Sequence, residues 1–121
     1  VITPSDYPDF LNWMPGNDSV IVYDKGKNDF LINKLIAEAS LLFCLDFSAL
    51  SRIQDLEKSV ALSKAKKVMI DHHTNPEAFA EFVFHDTKAA ATAELIYDLI
   101  EKLGKIDLNF IHKFFLLIGQ I

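Results

Sequence analysis

The sequence predicts a three-layer α/β domain built on a doubly wound, mainly parallel sheet. Short apolar runs of strand length alternate along the chain with segments whose apolar residues recur at helical spacing. The run at residues 68–70 leads directly into Asp71, His72 and His73, and Asn75-Pro76 then makes a turn. A continuous apolar run of this kind is typical of a buried parallel strand, and ligands bind at the carboxyl ends of such strands.

Composition limits the classes of protein to consider. The 121 residues suffice for one domain with a core and are too few for two. The net charge of −5 excludes a broad basic surface for duplex nucleic acid. A short phosphate-containing substrate remains compatible with this charge if a bound cation neutralises the phosphate. Cys44 is the single cysteine, and no stretch has the pattern of a leader peptide or the length of a membrane span. We therefore expect a cytoplasmic protein with no membrane contact.

The N-terminal part reads as a loop, a strand and a helix. Residues 1–18 contain three of the four prolines, which predicts loop and turn, with Trp13 packed onto the domain. Residues 19–24 are short and β-branched and predict the first strand. The apolar spacing after them predicts a helix to about residue 39, capped by Asn28 or Asp29.

The central part supplies the strands that carry chemistry. Residues 41–46 are apolar until Asp46 and predict the second strand. A helix over about 54–64 leads to the third strand at 67–71. Residues 79–85 alternate between two faces, which suits an outer strand. We expect the first three strands to be neighbours in one sheet.

Two helices are predicted for the C-terminal part. Apolar residues repeat at helical intervals over about 88–103, and Gly104 follows as the cap. Residues 108–117 are apolar and rich in phenylalanine and predict a last helix.

Two consecutive core strands end in acid, which suggests a metal site. Parallel strands place their carboxyl ends at one edge, about 5 Å apart for neighbours, so Asp46 and His72 are expected to reach one cation. Carboxylate oxygen with imidazole nitrogen suits Mn²⁺, Zn²⁺ or Fe²⁺ better than Mg²⁺ or Ca²⁺. Taken singly, each residue also fits a turn or solvated surface. His85 has no acidic strand tip beside it in the sequence and is interpreted as structural or exposed.

Three motifs carry a resemblance to a known family. Asp71-His72-His73 after an apolar strand, the segment 45–53 with Asp46 and Arg52, and Ala90-Ala91-Thr92-Ala93-Glu94-Leu95 occur in that order. Together they resemble the DHH phosphoesterase superfamily, and they are most similar to the branch that contains oligoribonuclease (nanoRNase) and pAp-phosphatase enzymes. The resemblance covers about residues 40–95.

The resemblance implies a manganese-dependent phosphoesterase that hydrolyses short oligonucleotides or nucleoside 3′,5′-bisphosphate (pAp). Asp46 would bridge two Mn²⁺ ions and His72 would bind one of them. His73 would face the scissile phosphate as a catalytic and substrate-binding group, Asp71 would orient an imidazole, and Arg52 would hold a terminal phosphate.

The same resemblance implies that residues 1–121 are one partial catalytic domain. The family's first motif would precede Val1, and its fourth motif and C-terminal domain would follow Ile121. We therefore expect the chain alone to be inactive, with a homodimer as one option for its assembly. Two alternatives remain open: an inorganic pyrophosphatase or exopolyphosphatase of the same superfamily, and a non-catalytic nucleotide-binding domain.

Overall fold

The computed structural model describes residues 1–104 and 115–118, which form six strands and three α-helices. The strands are β1 (Ile2–Thr3), β2 (Ile21–Val22), β3 (Leu41–Leu45), β4 (Lys66–Asp71), β5 (Phe82–His85) and β6 (Phe115–Ile118). The helices are α1 (Asp29–Glu38), α2 (Glu57–Leu62) and α3 (Thr92–Leu103). Short 3₁₀ helices occupy Asp9–Leu11, Asn17–Ser19 and Leu50–Leu56.

All six strands lie in one sheet in the order β2-β1-β6-β3-β4-β5, and every pairing is parallel. This confirms the predicted α/β fold class. Strands β3 and β4 are neighbours in a register that pairs Leu45 with Ile70. Asp46 and Asp71 therefore leave the sheet at the same edge, as predicted.

The expectation that the first predicted strand lies beside β3 is wrong. β1 and β6 separate β2 from β3. The reason lies in residues 1–18, which are not all loop, since Ile2–Thr3 form a strand. The amide of Ile21 donates to the carbonyl of Val1, and the amide of Tyr23 donates to the carbonyl of Thr3.

Two apolar cores cover the two faces of the sheet. The larger core lies under α1 and α2 and includes side chains from β1 and β3; its buried members are Ile2, Ile32, Ile36, Leu42, Cys44, Phe47, Ile53, Leu56, Val60 and Ala65. The smaller core joins α3 to β3 and β4 through Leu45, Ile70 and Leu95. Burial of the apolar side chains determines which side chains of each strand point to which face of the sheet. The cores therefore also determine the direction in which the polar residues at the strand ends point.

Two predicted helices begin later than expected. Gln54 has a φ of 50° and breaks the helix predicted from residue 54, so that α2 begins at Glu57. Local hydrogen bonds hold residues 86–89 as a turn, with the Ala89 amide donating to the Asp86 carbonyl, and α3 begins only at Thr92. Gly104 follows α3 as predicted, with a φ of 78° that favours glycine.

Other sequence expectations need correction as well. Trp13 is 78% exposed, because residues 8–14 close local turns instead of packing onto the sheet. Asn28 precedes α1 but bonds the Asp24 amide and the Val22 carbonyl, so its side chain does not cap the helix. Of the predicted last helix, residues 108–114 lie outside the described residues, and Phe115–Ile118 form a strand. Within the described part of the chain, no helix has the length and apolarity to cross a membrane.

Candidate metal centre

Asp46 stands at the tip of β3 in a left-handed conformation with a φ of 64°. Its amide donates to the Ile70 carbonyl at 3.0 Å, which extends the β3–β4 pairing by one residue. Its carboxylate Oδ1 accepts a 2.5 Å hydrogen bond from Thr92 Oγ1 at the start of α3. Aspartate tolerates this backbone region better than most residues, so the turn aims the carboxylate along the sheet edge without needing glycine.

His72 faces Asp46 from the tip of β4. Its Nδ1 lies 3.0 Å from the Ala89 carbonyl oxygen, and because a carbonyl only accepts, Nδ1 carries the proton. The other ring nitrogen, Nε2, lies 3.8 Å from Asp46 Oδ1 and is the nitrogen of this ring that remains available to a ligand. This distance is too long for a hydrogen bond. Two ligand bonds of about 2.0–2.2 Å each can span that separation.

His73 is held by Asp71, whose side chain is fully buried at the end of β4. His73 Nδ1 donates to Asp71 Oδ1 at 2.7 Å, and the His73 amide donates to Asp71 Oδ2 at 3.1 Å. Both carboxylate oxygens therefore act on one residue. The pairing leaves His73 Nε2 as the ring nitrogen that Asp71 does not engage, and the ring centroids of His72 and His73 are 4.8 Å apart.

The donor set fits a divalent transition metal. Ligand atoms of Asp46, His72 and His73 all lie within 4.8 Å of one another. One carboxylate and two imidazoles are the donors that Mn²⁺, Fe²⁺ and Zn²⁺ accept, and the second nitrogen of each imidazole is fixed by a carbonyl or a carboxylate. Asp46 and His72 could hold the ion as ligands, while His73 could either complete the set or face a substrate.

Arg52 lines a small pocket together with Asp46, Phe47, Ser48 and His73. The loop after β3, which lines this pocket, is joined to the loop after β4. The Glu77 amide donates to the Ser48 carbonyl at 2.7 Å, and the Leu50 amide donates to Glu77 Oε2 at 3.3 Å. The rings of Phe47 and Phe79 stack with centroids 5.8 Å apart. Arg52 therefore lies on a braced 3₁₀ helix and lines the same pocket as the candidate metal ligands Asp46 and His73.

A second cleft is also lined by Asp46 and His72. Its remaining wall comes from β3, the residues before α3 and α3 itself; it consists of Leu45, Ala90, Ala91, Thr92, Ala93 and Ile96. The small side chains of the alanines leave space directly in front of the candidate metal ligands. A substrate can thus approach the site past a wall that is mainly apolar.

Cys44 takes no part in this chemistry. It lies in β3 two positions before Asp46, and its side chain is fully buried on the core face. Burial raises the pKa of the Cys44 thiol to about 12, so the group stays protonated at neutral pH. The thiol therefore offers neither a thiolate ligand nor a nucleophile.

The structure brings the sequence-predicted residues to one sheet edge. Asp46, His72 and His73 form the cluster, Asp71 lies behind His73, and Arg52 shares a pocket with Asp46. The roles assigned to these residues stay predictions.

Sequence reasoning missed two residues that act on this group. The sequence identifies Thr92 only as part of a motif, although its hydroxyl donates a hydrogen bond to Asp46. His85 Nε2 lies 2.6 Å from the His73 carbonyl oxygen. The small-residue motif around Thr92 is a sequence signal that could have identified Thr92 as part of the site. The position of His85 depends on the β4–β5 register, which the sequence does not show.

Comparisons with known proteins give a family and a similar solved structure. The model of the family described as "DHH family, N-terminal domain" matches residues 2–118. A solved structure of an exopolyphosphatase-related protein from Bacteroides fragilis is similar, with a TM-score of 0.81 and 42% identity over 86% of this chain. The match covers 30% of that protein's chain, so the present chain spans less than a third of its length. No curated protein sequence matches the chain.

Proposed function

The chain belongs to the DHH family, a family of metal-dependent phosphoesterases, and from that premise we propose that the protein hydrolyses short oligonucleotides or pAp with Mn²⁺ as its cofactor. Family membership supports the reaction class. The finer choice of substrate and metal is our proposal, as is the assignment of residues 1–121 to one part of the catalytic unit. It rests on the three motifs and on the chemistry of the strand tips.

One observation carries the proposal: His72 Nε2 and Asp46 Oδ1 face each other at 3.8 Å. The Ala89 carbonyl accepts the proton on Nδ1 of His72, which leaves Nε2 as the ring nitrogen that can bind a cation. The Thr92 hydroxyl orients Asp46 Oδ1, and the carboxylate keeps further lone pairs for the same cation. The separation of 3.8 Å is too long for a hydrogen bond, whereas two ligand bonds of about 2.0–2.2 Å can span it.

The chain's own residues divide the remaining work. A divalent cation, when bound, supplies a water of lowered pKa and positive charge for the phosphoryl oxygens. Asp71 holds His73 with Nδ1 protonated, so that Nε2 can accept a hydrogen bond or a proton beside the attacked phosphate. Arg52 lines the same pocket and can pair with a terminal phosphate through two parallel hydrogen bonds. The Thr92 hydroxyl keeps the Asp46 carboxylate aimed at the site.

Short phosphate substrates fit the charge of the chain. A net charge of −5 opposes binding of long nucleic acid, because such binding needs many Lys and Arg contacts to phosphates. One arginine beside a metal site suits a single terminal phosphate, as pAp and dinucleotides carry. The solved relative is called exopolyphosphatase-related, so polyphosphate and pyrophosphate are the rival substrates to test. A non-catalytic nucleotide-binding domain would have little reason to keep the orienting pairs of His72 and His73.

The test uses the full-length natural protein with pAp, a dinucleotide, polyphosphate and pyrophosphate, each with Mn²⁺, Zn²⁺ or Mg²⁺. We expect Mn²⁺-dependent hydrolysis of the first two. His72→Ala should abolish it without unfolding the protein, since a strand-tip ligand contributes little to the core. Asp86→Asn, which removes an exposed carboxylate at the same sheet edge, is the matched control. Unchanged turnover in His72→Ala would refute the ligand assignment, and preference for polyphosphate would refute the substrate class.

A further inference from the structure

His85 ends β5 and lies level with Asp71, the last residue of β4. Beyond this point the two strands separate, and the amide of Asp86 reaches the Asp71 carbonyl only at 3.4 Å. The His85 side chain continues the attachment. Its Nε2 lies 2.6 Å from the carbonyl oxygen of His73, and because a carbonyl only accepts, Nε2–H is the donor.

The backbone that receives this bond belongs to an exposed loop. Residues 73–78 are all exposed, and the His73 side chain itself is 43% exposed. Asp71 fixes the amide and the ring of His73, but these bonds leave the carbonyl side of the residue free to turn. The bond from His85 holds that side. His73 is thus fixed on both sides of its Cα, which limits rotation of its ring out of the pocket.

We propose that His85 is a positioning residue for His73 and acts through the His73 carbonyl. The inference rests on the proposed function to the extent that His73 meets the substrate. The distances are consistent with a chain of attachment from the edge strand β5, through the backbone of His73, to the pocket shared with Arg52 and Asp46. A solvated histidine at a strand end would have no reason to point at that carbonyl.

Two substitutions separate positioning from simple edge stability. His85→Phe keeps a ring of similar size and removes the donor. His85→Gln places an amide N–H at a comparable distance and should restore the bond. Val83→Thr is the matched control, because Val83 lies in the same strand, is 56% exposed and pairs with Met69 instead of Asp71. All three are measured in the full-length protein.

Three readouts are compared. The first is kcat and KM for pAp hydrolysis, the second is Mn²⁺ affinity by calorimetry, and the third is hydrogen exchange of the His73 amide by NMR without metal. Loss of one hydrogen bond corresponds to a factor of about three to ten. His85→Phe should lower kcat and speed amide exchange by about that factor, with KM and Mn²⁺ affinity unchanged within about twofold. His85→Gln should recover most of both losses.

The results that overturn the proposal are distinct from those that overturn the function. Unchanged kcat and unchanged amide exchange in His85→Phe would exclude a positioning role. So would equal losses in His85→Phe and His85→Gln that follow their thermal stability. If the unmodified protein hydrolyses none of the phosphate substrates, the proposed function fails, and exchange of the His73 amide still decides whether His85 holds that loop.

Discussion

Replacing Asp71 with asparagine tests the pairing on which the orientation of His73 depends. The substitution conserves shape but exchanges one carboxylate oxygen for an NH₂ donor. Both oxygens of Asp71 accept from His73, one from the ring Nδ1 and one from the backbone amide. Asparagine can satisfy only one of them. If the new NH₂ group faces the ring, His73 must adopt the opposite tautomer, with its proton on Nε2. If the NH₂ group instead faces the His73 backbone N–H, two donors meet and the loop must move.

The expected loss of stability follows from the burial of Asp71. Its side chain is fully buried, so a mismatched partner cannot be replaced by water. Hydrogen bonds to charged groups contribute about 1.5–3 kcal/mol, and we expect a loss of that order in the free energy of unfolding. For a chain of 121 residues this corresponds to a fall in Tm of roughly 5–12 °C.

The assay combines urea unfolding with NMR detection of the ring nitrogens of His73. Asp86→Asn serves as the control, since Asp86 is exposed and bonds only the Lys88 amide through its side chain among the described contacts. The control should change stability by less than about 0.5 kcal/mol. If Asp71→Asn is as stable as the control and His73 keeps its proton on Nδ1, the account of this pair is wrong.

Four further outcomes are expected. Thr92→Val removes the donor to Asp46 and should weaken Mn²⁺ binding about tenfold by calorimetry, whereas Thr87→Val, at an exposed position outside the site, should not. Cys44 should resist alkylation in the folded protein and react on unfolding, because burial raises the pKa of its thiol to about 12. The hydrogen bond to Asp29 raises the pKa of Tyr23 to about 12. The stability that this pair contributes is therefore complete below pH 10 and is lost as the pH rises through the pKa of the folded state. Tyr23→Phe should remove this pH dependence from alkaline unfolding curves. The 121-residue chain by itself should bind Mn²⁺ weakly and show no turnover, and tight binding with turnover would contradict the ligand assignment.

The parts of the fold that sequence predicts well are those with strong local signals. The strands at Leu41–Leu45 and Lys66–Asp71 are continuous apolar runs, and a parallel pair places Asp46 beside His72 without any further information. The strand at Phe115–Ile118 has no local signal that separates it from a helix, since a short apolar run suits a helix or a buried strand equally. The two-residue strand Ile2–Thr3 is too short to leave a pattern.

The candidate site divides in the same way. Its ligands follow directly from strand tips, whereas its supporting bonds depend on contacts between distant segments. Thr92 and Asp46 are 46 positions apart, and their meeting requires the packing of α3 against β3 and β4. The bond from His85 requires the β4–β5 register in addition. Such contacts depend on tertiary packing, which local periodicity does not encode.

The left-handed backbone at Asp46 has a consequence for how such a protein could change over evolutionary time. A φ of 64° costs a side-chain-bearing residue about 1 kcal/mol relative to glycine, even where aspartate softens the penalty. Glycine would relieve this cost, but it would also remove the acceptor of the buried Thr92 hydroxyl, and a hydrogen bond to a charged group contributes about 1.5–3 kcal/mol. A descendant released from catalysis is therefore expected to exchange Asp46 and Thr92 together. The identity of these two residues across related sequences would then separate lineages that kept the chemistry from those that kept only the fold.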